Sequence, residues 1–407
     1  YSILPFYRSH VTKSYQKSFF IKNYSCGNLV KKNSSVALNE KIYDSTEVKN
    51  KKISVNRYED LISLLEAGVS QSDLEVKGDS YSHIINRSPS EIHPVLELLF
   101  ERNCQSSKPG QRKDNFKIGL AIEGGGMRGC VSAGMVAALI QLNLMDCFDA
   151  VYGSSAGSLV GAYAIAGQIG MPRLGCSIYY DALTSAGRNF IDTRYLPRAM
   201  GMGLLGTPFT RINGFIDLAY DKIGSPVLKL DYLLGDIVHK LRPLDWDLFN
   251  EKQKFQPLSI VASGVISKSS IVLNSKKGNF DSFDCLTQCM KASMLLPGIT
   301  GPMVDIPGIN EPLVDSQLYE PIPYRAALND GCTHILVLRS RPDGCSILGK
   351  PKLAEKMIAR RYFSRKHGMP SLYEYMKKGG HKIVYAKDIL KLNSASRVKK
   401  GDKGPYI

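Results

Sequence analysis

Along the chain the apolar positions change period, and each change marks a new element. Leu61, Ile62, Leu64 and Leu65 sit among Glu and Asp at helical spacing between Asn56 and Ala67, and Glu91 to Phe100 repeats the pattern. Residues 53–110 are therefore expected to form a helical preface, closed by the polar linker Gln105 to Gln111. Lys117 to Ile122 then gives a short apolar run of the kind that forms a buried strand. It stops at Glu123 and a run of glycines, after which Val131 to Leu144 takes up helical spacing. A second cycle follows, with Phe148 to Tyr152 as strand, a tight glycine turn from Gly153 to Gly157, and Ala156 to Ala166 as helix. Apolar runs at Leu258 to Ala262, Ser270 to Leu273 and Ile335 to Leu338 add further strands. Strands alternating with helices predict an α/β fold with a largely parallel, helix-covered sheet. Residues 171–256, with Gly201-Met-Gly-Leu-Leu-Gly206 and scattered prolines, fit no such cycle and are assigned to a lid or substrate cap.

At 407 residues, 43% hydrophobic and 22% charged, the chain can bury one large core or two modest ones, which excludes a peptide, a fibrous repeat and a disordered chain. Its nine cysteines are scattered with no C-x-x-C pair and no His cluster nearby, so neither a disulfide framework nor a zinc site is expected, and a reducing compartment fits best. No uninterrupted apolar run reaches the length of about 18 residues that a membrane-spanning helix needs. The net charge of +16 is unevenly placed: residues 1–52 hold ten Lys and Arg against three acids, and residues 346–407 hold sixteen against four. The domain plan is thus a basic N-terminal extension (1–52), the preface (53–110), a nearly neutral main body (111–345) and a basic C-terminal segment (346–407). Cationic ends on a neutral body suit peripheral contact with an anionic membrane surface as well as they suit plain solvated tails. Nucleic acid is not expected, since no reading module is visible. The first 39 residues hold six Lys and Arg and no acid, a composition shared by mitochondrial or plastid targeting segments and by disordered extensions.

Gly124-Gly-Gly126-Met-Arg-Gly129 satisfies G-x-G-x-x-G between a strand and a helix, with Asp146 or Asp149 about twenty residues on, the spacing of a dinucleotide site. Its physical content is an approach of backbone N–H groups to a negative group, which serves an oxyanion equally well. The next turn, Gly153-Ser154-Ser155-Ala156-Gly157, is a G-x-S-x-G between strand and helix, a geometry that pushes a serine hydroxyl into the open. Ser155 is the candidate nucleophile. Its base is sought at Asp315, which either takes the Ser155 proton directly or works through His334 in the order Ser, Asp, His. His334 opens a strand, which favours the direct pair.

Lys117 to Gly129, Phe148 to Tyr163 and Leu313 to Pro323 together resemble the three signature blocks of the patatin-like phospholipases, the Ser–Asp lipid acyl hydrolases. Val261-Ala-Ser263 and Met290 to Pro297 resemble further segments of that family, so the likeness covers about residues 115–345. It implies a three-layer α/β/α sandwich with a mostly parallel central sheet, and phospholipase A type activity on phospholipids or lysophospholipids. It also implies Ser155 as nucleophile, Asp315 as base and Gly124, Gly125 and Gly126 with Arg128 as the oxyanion loop. Gly129, Gly153 and Gly157 complete its motifs, and no cofactor or metal is implied. Two departures stand out: Glu123 replaces the family's usual Asp, and Asp315-Ser316-Gln317 replaces Asp-Gly-Gly. Two other functions are carried along, a catalytically weak lipid-binding scaffold and a dinucleotide-dependent enzyme built on the 124–129 loop.

Overall fold

A computed structural model describes residues 53–55, 74–76, 92–170, 175–201, 226–342, 347–348 and 351–407. The leader, the helix expected at 56–67 and most of the Gly201–Gly206 stretch lie outside the described residues. In the preface, β1 (Ile53–Val55) and β2 (Leu74–Val76) pair in parallel, Ile53 opposite Leu74. These two strands were not among the elements expected in the preface. Three-residue strands are too short to leave a readable period in the sequence. Helical spacing is realised in α1 (Pro94–Cys104), whose first turn is closed by His93 Nδ1 accepting the Val95 N–H at 3.2 Å. Arg102 of this helix is 1% exposed and reaches Asp114 and Asp149, each at 2.7 Å. The polar stretch after α1 is thus pinned to the main body.

The main sheet runs β6-β5-β4-β3-β8, with the short β7 (Leu313–Val314) also paired to β5. Strands β3 (Ile118–Ile122), β4 (Ala150–Ser154), β5 (Leu258–Gly264) and β8 (His334–Leu338) are parallel; β6 (Ser270–Asn274) and β7 run antiparallel to β5. Alternate residues feed two separate cores. Ile118, Leu120, Ile122, Val151 and Ile260 join one, while Ala121, Tyr152 and Val261 join the other. The first is covered by α2 (Gly129–Gln141), α3 (Ala156–Ile165), α4 (Trp246–Lys252) and α5 (Phe283–Met294). The second is covered by α6 (Tyr324–Asn329) and, from the C-terminal segment, by Tyr385 and Leu392 of α9 (Gly380–Ala395). Both faces of a mostly parallel sheet being covered, the result is the expected α/β/α sandwich.

The basic C-terminal segment is a folded layer in which α7 (Leu353–Ala359) and α8 (Pro370–Lys377) precede α9. Its end returns to the sheet, where the Tyr406 carbonyl accepts the Ile335 N–H at 2.9 Å and the Tyr406 N–H donates to the Thr333 carbonyl at 3.0 Å. In the region assigned to a cap, a wide π-type helix, Tyr232–Leu241, buries Leu233, Leu234, Ile237 and Val238. Among the described residues no helix is long and apolar enough to cross a membrane.

The chain leaves β3 toward β4 and β5, whereas β8 is added on the other side of β3. Such a reversal opens a crevice at the C-terminal ends of the strands.

Candidate active site

At that crevice β3 and β4 end side by side, Ile122 opposite Gly153, and each turns into a helix. Ser155 sits on the second turn with φ 51° and ψ −123°, a sparsely populated positive-φ conformation that costs a residue with a side chain about 1–3 kcal/mol. Its surroundings hold it there. The Ser155 N–H donates to Ser293 Oγ at 2.7 Å, and its carbonyl accepts the Ser158 N–H at 2.9 Å and Ser158 Oγ–H at 2.6 Å. The flanking glycines answer to crowding: a Cβ on Gly153 would lie 2.5 Å from Ser158 Cα, and one on Gly157 would strike the Ile122 carbonyl. This is the physical content of the G-x-S-x-G spacing, which lets β3 and the start of α3 approach backbone to backbone.

Asp315 follows β7, and its own N–H is bound to the Leu295 carbonyl at 2.9 Å. Its Oδ2 accepts Ser155 Oγ–H at 3.1 Å and its Oδ1 accepts the Gln317 N–H at 2.8 Å. Residues 160 positions apart in the chain are thus brought into direct contact. The departure at Ser316-Gln317 is absorbed without strain: both residues enter a 3-10 turn, Ser316–Leu318, capped by Asp315, and neither has a positive φ. Asp315 is 3% exposed, and burial among apolar groups lifts its pKa from the ordinary 3.8 to about 6, against the opposing pull of the Gln317 N–H and the Ser155 hydroxyl.

The glycine loop wraps the other side of Ser155. A Cβ on Gly124 would lie 2.8 Å from the Ser154 carbonyl and 2.9 Å from Ser155 Cβ, and Gly126 has φ 56°. Gly124 spends its N–H on the Pro321 carbonyl at 3.1 Å. The N–H groups of Gly125 and Gly126 have no partner among the described residues, which leaves these two as the donors a developing anion would meet. Arg128 is held beside the loop, its Nε 3.4 Å from Ser340 Oγ, which in turn reaches the Gly124 carbonyl at 3.2 Å. The buried Glu123 accepts from the Ser340 N–H and, at 2.8 Å, from the Tyr385 hydroxyl of α9. Gly129 is needed for packing, since a Cβ there would run into the Tyr179 ring.

Ser155, Asp315, Glu123 and the loop from Gly124 to Arg128 line one cavity of about 660 Å³. Leu183, Phe190, Leu228, Leu230 and Leu233, from the region expected to form a cap, give it apolar lining. A hydroxyl bonded to a buried carboxylate, beside unspent backbone donors, is equipped to move a proton and to hold an oxyanion.

His334 stands apart. It pairs with Ile118 at the start of the strands, four residues before the Leu338–Ile122 pair, hence about 13 Å from the end where Ser155 lies. Its ring packs on Phe116 and Tyr406, and burial lowers its pKa to about 4. The triad arrangement is corrected on this ground. The dinucleotide reading meets the same obstacle. Asp149 precedes β4 at the far end from the glycine loop, and both its oxygens are occupied by Arg102, Arg112 and the Ile118 N–H.

Ser293, which accepts the Ser155 N–H, lies in the Met290–Pro297 segment but was given no role there. Nothing along the chain pointed to the C-terminal residues Lys352, His381, Lys382 and Tyr385 in the cavity wall. At the cavity mouth, Met127 is 37% exposed and begins a stripe continued by Val131 (41%) and Met135 (39%) on α2 and Leu142 (61%) just past its end. The helix itself has no charged residue.

A family model described as patatin-like phospholipase matches residues 120–328. No curated protein matches the chain. Among solved structures, the chain is similar to VipD from Legionella pneumophila at 14% identity and a TM-score of 0.26, covering 50% of this chain and 46% of that one. The chain therefore spans about half the length of that neighbour.

Proposed function

The chain belongs to the patatin-like phospholipase family, a family of lipid acyl hydrolases, and on that premise we propose that it cleaves fatty-acyl esters of phospholipids or lysophospholipids through a Ser155–Asp315 pair. The observation that carries the reading is the 3.1 Å contact between Ser155 Oγ and Asp315 Oδ2, made inside a cavity with apolar lining. Ser155 Oγ attacks the ester carbonyl as its proton passes to Asp315. The resulting oxyanion is held by the Gly125 and Gly126 N–H groups, with Arg128 fixing the loop. Collapse of the intermediate expels the alcohol, which takes the proton back from Asp315. Water then attacks the acyl-serine with Asp315 again as base, and as the acyl–oxygen bond breaks Ser155 Oγ takes the proton back from Asp315 and the fatty acid leaves.

A carboxylate with a pKa near 6 is ionised at neutral pH yet basic enough to take a proton in the transition state. The positive end of α3 behind Ser155 favours the alkoxide that forms. The uncharged stripe from Met127 to Leu142 is continuous with the cavity and suits a helix lying in a lipid interface, with the basic C-terminal layer adding attraction to acidic lipid. That Asp315 reaches Ser155 from a 3-10 turn without glycine supports the hydrolase over the scaffold reading.

The test is fatty-acid release from phospholipid and lysophospholipid vesicles by the wild type and by Ser155→Ala, with a fluorophosphonate probe alongside. Release and labelling by the wild type alone are expected. Undiminished release by the variant would end the reading.

A further inference from the structure

Among the described residues four cations line the cavity, Arg128, Arg341, Lys352 and Lys382, and three of them lie beyond residue 328, where the family match ends. Arg341 follows β8 and lies over the Tyr385 ring at 5.6 Å, while Tyr385 holds Glu123 beside the glycine loop. Lys382 is on α9, 3.4 Å from Glu355. Lys352 caps α7. Neither Arg341 nor Lys352 has an acidic partner among the described residues. His381, 4% exposed and also in the lining, spends Nε2 on Glu355 at 3.2 Å, and its buried Nδ1 has no hydrogen-bond partner among the described residues. The carboxylates of the lining are Glu123 and Asp315, and the bonds already described occupy both.

A cavity wall in which two cations have no acidic partner is suited to receive an anion. The apolar lining from residues 183–233 is suited to the acyl chain, which leaves the cationic part to the polar end of the same ester. The Arg341 guanidinium, held over the Tyr385 ring, presents a planar fork of donors, a match for phosphate oxygens. We propose that Arg341 and Lys352, with His381 and Lys382 beside them, form a subsite for the phosphate group of the substrate lipid, so that the C-terminal layer selects phosphate-bearing esters over neutral ones. This rests on the acyl-hydrolase reading only for the identity of the ester.

The test separates the two. Equilibrium binding of lysophosphatidic acid and of the monoacylglycerol with the same chain, both kept below aggregation, is measured on Ser155→Ala protein and on the same protein carrying Arg341→Gln and Lys352→Gln. Each charge-assisted contact is worth roughly tenfold in affinity, so a preference for the phosphate lipid of at least that size is expected, and it collapses in the double variant. Lys352→Arg, which keeps the charge, retains it. Competition by inorganic phosphate would show that the subsite reads the phosphate group by itself; its absence would show that the acyl chain must present it. Equal affinity for the two lipids, or a preference that survives loss of both cations, overturns the subsite. If the wild type hydrolyses neither lipid while the binding preference stands, the hydrolase reading fails and the subsite does not.

Discussion

Replacing Asp315 by Asn should make the protein more stable while depriving it of its base, and the size of the effect depends on pH in a defined way. The folded state keeps the Asp315 proton up to a pKa of about 6, whereas the unfolded chain releases it near the ordinary 3.8. Between these values the folded state binds more protons, so stability is lost as pH rises through that window. The gap between the two values corresponds to ~3 kcal/mol, present below about pH 4 and gone above about pH 7. The amide of the variant carries no charge to bury. Its oxygen can accept from the Gln317 N–H and its NH₂ can donate to Ser155 Oγ, so the local bonds survive in altered polarity. Urea unfolding of both proteins at about pH 4.5, 6 and 8 measures the difference. Asp315→Asn is expected to gain on the wild type as pH rises, by up to ~3 kcal/mol at about pH 8. Its reaction with fluorophosphonate should fall sharply at every pH. A stability difference that stays constant with pH, or that grows in favour of the wild type, would refute the claim that a buried, costly carboxylate is kept at this position.

In the proposed mechanism Asp315 acts as base only when ionised, so kcat/KM should rise with pH through about 6, and that limb should persist in His334→Ala, since burial lowers the His334 pKa to about 4 and His334 stands at the wrong end of the sheet. Loss of the limb in that variant would revive the triad. Gly157→Ala should destabilise the fold by more than about 3 kcal/mol, because its Cβ would meet the Ile122 backbone, which cannot yield as a side chain can; the urea midpoint reports it. Val131→Ser together with Met135→Ser should weaken vesicle binding roughly tenfold, and turnover of vesicle lipid should fall more steeply than turnover of dissolved esters, as read by flotation and release assays.

Much of the fold was legible because strands buried on both faces leave short, mostly apolar runs, and β3, β4, β5 and β8 each show one. The site was legible for a related reason. Close backbone approach admits only glycine, so Gly153, Gly157 and Gly124 mark where strands and helices crowd around Ser155. Other features left no local trace. The parallel pair of three-residue strands at 53–55 and 74–76 is too brief to show alternation. The spent N–H of Gly124 depends on Pro321, nearly two hundred residues away in the chain, and no spacing rule reports such a bond. The C-terminal segment was dominated by its charge. Tyr362, Phe363, Leu372 and Tyr385, which bury it against the body, are diluted among lysines and arginines that face outward.

That layer sets a limit on how far the protein can be trimmed. A fragment ending near residue 345 would keep Ser155, Asp315 and every glycine of the loop, yet lose the phenol that holds Glu123 and the side chains that shield Ile322, Tyr324 and Ile335 from water. Such a fragment would carry an intact set of motifs on a sheet with one naked side, prone to clump before it could turn over substrate.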